Sequence, residues 1–142
     1  MYDRDHINQT PPLANIVKHL ENNRRVNFID SIAMEKQSFE PAKKYTLKEA
    51  IQIAEGGIVS KQFIKNKGGN ITLFAFDKGE GLSEHTAPFD AAVQIIEGEA
   101  EVSIDGQNQL VGEGEMILMP ANIPHALHAH KAFKMCLIML KE

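Results

Sequence analysis

Six histidines and one cysteine are the side chains of this sequence most able to hold a ligand or move a proton. Two of the histidines, His85 and His125, each follow a bend marked by glycine or proline, in GEGLSEH and GEMILMPANIPH. Imidazole titrates near neutral pH, and its unprotonated nitrogen accepts a proton, a hydrogen bond or a metal ion. Two imidazoles alone bind a metal weakly, because an open first-row site uses about three protein donors plus water. Asp90 and Gln94 are the nearby additional donors, but strand alternation turns Asp90 away unless a bulge intervenes, and Gln94 shares its parity. Glu84, beside His85, is expected to face water. His128-x-His130 puts two more imidazoles on one side of a strand, opposite to His125, and a solvated outer face is the simplest expectation for them. His6 and His19 have no partner pattern. Cys136 sits in an apolar run, where a thiol packs as a small hydrophobe; a nucleophilic thiol needs a cationic, partly exposed setting.

The elements that must position these groups are mostly short strands. From Ile58 onward the chain alternates apolar runs with turn signals: IVSKQFI, ITLFAF, AAVQIIEG, EAEVSID, QNQLVG, EMILM, HALHAH and FKMCLIML. The first two read as a hairpin about Gly68-Gly69, and Asp105-Gly106 is a strong two-residue hairpin turn. In EAEVSID, Ala100, Val102 and Ile104 alternate with polar residues, as in a strand with one wet face. The last run is apolar on both faces and must be covered on both. Met116, Met119, Met135 and Met139 are spaced as strand core residues. Thr46–Ala54 opens with a possible capping box, Thr46 with Glu49, and reads as one or two helical turns. Before it, Pro11-Pro12 marks a helix start, and Leu13, Ile16, Val17 and Leu20 recur at the spacing of one helical face. Val26, Ile29, Ile32 and Ala33 suggest a second helix. We therefore divide the chain into a helical extension, residues 1–42, and a β-barrel domain, residues 43–142. Strands follow helices without alternating with them, which argues for a barrel or sandwich and against a parallel α/β sheet.

Composition narrows the functions. The 142 residues are 43% hydrophobic, enough for one cored domain with an appendage. A net charge of −4 with no basic face argues against nucleic acid. No apolar run reaches the length of about eighteen residues that a spanning helix needs, so no membrane is expected. The polar start MYDRDHINQTPP lacks the apolar core of a secretory signal, which makes the cytoplasm the expected location. A single cysteine excludes an intramolecular disulfide framework and a zinc–thiolate cluster. Neither a Walker loop nor a G-x-S-x-G elbow is present.

Over roughly residues 45–142 the chain resembles the cupin superfamily, in its small single-domain form. The first motif of that family is G-x5-H-x-H-x3,4-E-x6-G. Gly79, His85 and Gly98 match it, while Ala87 stands in the second histidine slot and Ala91 or Ala92 in the glutamate slot. The second is G-x5-P-x-G-x2-H-x3-N. Gly114, Pro120 and His125 match, with Asn122 for the inner glycine and Ala129 for the asparagine. The resemblance implies a mainly β, antiparallel jelly-roll barrel whose pocket often holds a divalent metal on three histidines and a glutamate. Of those four donors only His85 and His125 are present. The expectations that follow are a pocket marked by His85 and His125, with Phe89 at its mouth and Met119 lining it. It would bind a small molecule, with one divalent ion (zinc, iron, manganese or nickel) on the two histidines as a further expectation. The alternative is a metal-dependent dioxygenase, isomerase or decarboxylase with a reduced ligand set. A homodimer is expected from the doubly apolar final strand.

Overall fold

The computed structural model describes residues 39–141. The helices expected over residues 13–33 lie outside the described residues. One short helix, α1 (Leu47–Ala50), precedes nine strands: β1 (Ile58–Asn66), β2 (Gly69–Phe76), β3 (Gly81–His85), β4 (Asp90–Glu97), β5 (Glu99–Ile104), β6 (Gln107–Gly112), β7 (Met116–Met119), β8 (His125–His128) and β9 (Phe133–Leu140). They form a five-stranded sheet in the order β1-β2-β9-β4-β7 and a four-stranded sheet in the order β3-β8-β5-β6. All of their pairings are antiparallel. The two sheets close face to face as a jelly-roll barrel, as the turn spacing led us to expect.

Alternation drives this closure. Alternate side chains of the five-stranded sheet point inward, with one register irregularity each in β1 and β4, and the inner faces of both sheets share one apolar cluster. Phe76 and Phe133 stack in it with ring centroids 4.6 Å apart and planes inclined by 11°. The turns use the residues their backbone demands. At the β5–β6 hairpin Asp105 and Gly106 both adopt positive φ, 52° and 80°, the combination a two-residue turn of matching twist requires.

The final strand is covered on both faces. Phe133, Met135, Leu137 and Met139 point into the barrel. On its outer side Cys136 is buried beside Leu73, Ala75 and Val59, beneath Ile51, with Phe39 and Leu47 packed against them. Burial pushes the Cys136 thiol up, as befits an inert packing group. Lys134 is buried on the same side, and its ammonium donates to the Lys48 carbonyl at 2.6 Å.

Several local expectations change. GLSEH forms a strand, β3, absent from the apolar runs above because its small and polar residues carry little β signal. The helix after Thr46 is a single turn, and the Thr46 side chain makes no capping bond; only its carbonyl is used, by the Glu49 N–H at 3.0 Å. Met119, Met135 and Met139 are core, but Met116 is 54% exposed, because it lies an odd number of positions from Met119 along the strand and so on the opposite face. The strand HALHAH ends at His128, leaving His130 in the following bend.

Candidate functional site: an inward-facing histidine pair

His85 and His125 lie opposite one another where β3 pairs with β8. A bulge brings them together. Leu82 faces Leu127 and His85 faces His125, so β3 takes three steps where β8 takes two. Leu82 and Leu127 belong to the inner cluster. Without the extra residue, plain alternation from Leu82 would aim Glu84 inward and His85 out. With it, Glu84 is exposed and His85 is half buried, meeting the buried His125. The rings sit edge to face, centroids 4.4 Å apart at 66°.

Both imidazoles are held the same way. His85 Nδ1 lies 2.8 Å from the Ser83 carbonyl oxygen, and His125 Nδ1 lies 2.9 Å from that of Ile123. A carbonyl can only accept, so in each ring Nδ1 carries the proton and donates it. In a neutral ring held this way the remaining nitrogen, Nε2, presents a lone pair. His125 Nε2 is buried and has no hydrogen-bond partner among the described residues. Burial holds His85 below the ordinary histidine value of 6.5, against the opposing effect of the Ser83 bond, and the neighbouring His125 lowers it further. Burial thus favours the neutral form of His85 in this inward-facing pair.

The slots around it are filled by methyls and backbone. Ala91, not Ala92, faces inward, 4% exposed, and in register it lies between Met119 of β7 and Met139 of β9. Ala87 is buried, and its carbonyl accepts the Asn122 N–H at 2.7 Å. Asn122 takes the positive φ of 65° that the missing glycine would have supplied. Ala129 is fully buried; its carbonyl accepts from Gly79 at 2.7 Å and its N–H donates to Glu80 at 2.9 Å. The two histidine-bearing segments are thus tied together through main chain, which explains how the frame stands without the usual side chains. Asp90 and Gln94 do not join the pair. Asp90 is exposed and accepts the Ala121 N–H at 2.8 Å, while Gln94 lies in register between Met116 and Cys136 on the outer face. Phe89 is half buried against the inner cluster, and Met119 is fully buried within it.

Among the described residues no group of three or more His, Cys, Asp and Glu could hold a metal ion. A four-donor metal does not fit this site, since two of its donors are methyl groups. A second imidazole pair lies outside the barrel. His128 and His130 have ring centroids 4.5 Å apart, and His130 Nε2 meets Glu101 Oε1 at 3.1 Å. A cavity of about 260 Å³ sits elsewhere again, lined by Phe39, Tyr45 and Lys61 among others beside α1. It holds none of the candidate ligand-binding residues, and the Lys61 ammonium is bonded to the Ala50 carbonyl at 2.7 Å. Sequence reasoning missed the Ser83 and Ile123 carbonyls that fix the two rings, since backbone acceptors leave no mark on residue type.

Fold and site together define a small antiparallel barrel with a histidine pair turned into it. Residues 72–140 match the family described as "Cupin domain". The chain is similar to a conserved protein of unknown function from Streptococcus pyogenes, at 39% identity over 75% of this chain and 93% of that one, with a TM-score of 0.70. It is similar to a cupin superfamily protein from Desulfitobacterium hafniense, at 26% identity over 75% and 97%, with a TM-score of 0.69. A cupin 2 conserved barrel domain protein from Leptotrichia buccalis shares 41% identity over 68% of this chain and 47% of that chain, with a TM-score of 0.66. No curated protein matches. The chain belongs to the cupin superfamily as a small cupin-domain protein.

Proposed function

We propose that this cupin binds a small hydroxylated molecule at His85 and His125. The observation that carries the reading is the buried Nε2 of His125, left without a partner among the described residues beside a second ring of the same tautomer. A buried acceptor without a partner costs about 1–3 kcal/mol, which a ligand donor would recover. The chemistry selects the ligand. An unprotonated Nε2 of His125 receives a hydrogen bond from a sugar or phenol hydroxyl. A carboxylate would need protonated imidazole, which burial of His85 opposes. Phe89 and Met119 supply apolar surface on the same inner side.

The tautomer that accepts a hydroxyl is also the one that ligates metal. A divalent ion at this pair would take its remaining donors from water or from the bound molecule. The test is a thermal-shift and calorimetric screen of simple sugars and phenols, with zinc chloride alone as a separate arm, on the wild type and on His125→Ala. The reading predicts a hydroxyl compound that stabilises the wild type and not the variant. Equal binding to both proteins would refute it. Metal-dependent turnover that His125→Ala abolishes would replace it with an enzymatic reading of dioxygenase, isomerase or decarboxylase type.

A further inference from the structure

The outer face of the five-stranded sheet carries an apolar row that crosses every strand. Register places Ile64 opposite Ile71, Ile71 opposite Ile138, Ile138 opposite Ala92, and Ala92 opposite Leu118. Strand spacing makes this row about 19 Å long. Next to it, Leu73 and Cys136 are buried beneath the segment that contains α1. The row itself is open at both ends: Ile64 is 52% exposed and Leu118 59%. Leu140 and Met116, on the same face, are 63% and 54% exposed. One half of the face is therefore covered by the chain's own preceding segment, and the other half is not covered by any described residue.

The chain reaches this face from its N-terminal side. Phe39, the first described residue, packs on it, with ring centroids 4.8 Å from both Tyr45 and Phe63. Thirty-eight residues precede Phe39 in the sequence and join the described chain at this point. They carry the two apolar stripes Leu13, Ile16, Val17, Leu20 and Val26, Ile29, Ile32, Ala33. A helix crossing the row needs about thirteen residues, at 1.5 Å each. Either stripe, with its flanks, has that length, and neither stripe is stable in water without an apolar partner.

We infer that residues 13–33 of the same chain dock across the row from Ile64 to Leu118, apolar stripe down. The test uses the full-length protein and the tryptic site at Arg24-Arg25. Cleavage there is slow in the wild type. It accelerates about tenfold or more in Ile64→Glu/Leu118→Glu, because a segment released from its docking face opens to protease. Ile16→Glu/Leu20→Glu, which leaves the barrel's own residues intact, gives the same acceleration and guards against a sheet variant that fails to fold. Cleavage at Arg24-Arg25 that is equally fast in all three proteins overturns the inference. So does a wild-type dimer by sedimentation that Leu118→Glu dissociates without changing the cleavage rate, since the row would then be covered by a second copy.

Discussion

Two pairs of imidazoles stand in this barrel at almost the same separation, 4.4 Å for His85 with His125 and 4.5 Å for His128 with His130. Both are close to edge-to-face, yet they have different chemistry. The inner pair donates to backbone carbonyls and turns lone pairs inward, under a burial that keeps His85 neutral. The outer pair is solvated, and His130, with a side chain 60% exposed, meets the carboxylate of Glu101. Residue type and spacing are thus shared, and the environment assigns the role. Burial disfavours the imidazolium inside, whereas an exposed ring next to a carboxylate gains only a screened attraction.

The contrast can be broken first at the methyl groups. Ala87→His/Ala91→Glu would supply the two absent donors, and the double variant is expected to retain zinc through gel filtration, measured as metal content per chain. Crowding Met119 and Met139 should cost about 1–3 kcal/mol of stability. Adding the same two residue types beside His128 and His130 lacks the enclosing frame and should not retain metal.

The next effect is on ligand affinity. His125→Ala should weaken binding of any hydroxylated ligand about tenfold or more, by leaving a ligand donor unpaired. His128→Ala/His130→Ala should leave it unchanged within error in the same calorimetry.

A smaller effect separates the pairs by pH. The unfolded chain protonates His85 at its ordinary 6.5, and the folded chain only at a lower pH. Between those two values the unfolded state holds more protons, so stability falls as pH drops through that window and is recovered above 6.5. His85→Gln should flatten the dependence of the melting temperature on pH across this range. A slope that persists unchanged in the variant would assign it to another group. The smallest effect is at the exposed contact: Glu101→Gln should cost about 0.2–1 kcal/mol at most in denaturant unfolding, and less in high salt.

Much of this was legible in the sequence, for physical reasons that can be named. Asp105-Gly106 demands positive φ twice, so its hairpin was visible. The doubly apolar FKMCLIML required cover on both faces, and it has the barrel core on one and the chain around α1 on the other. His85 and His125 stood out through the glycine and proline turns before them. Glu84 was expected to face water and is exposed, but how β3 turns His85 and not Glu84 inward could not be read from alternation. One extra residue in β3 decides it, and a bulge there depends on pairing with β8, a partner some forty residues away. Met116 failed for a simpler reason: its apolar type outweighed its parity, although alternation from Met119 already placed it outside.

The most direct test is a long-range proton–nitrogen correlation spectrum of the imidazoles in the uncomplexed protein near neutral pH. Our account predicts that His85 and His125 both carry their proton on Nδ1 and show an unprotonated Nε2. A proton on Nε2 of His125, or an imidazolium at His85, would contradict it, because the barrel would then present a donor where we place an acceptor.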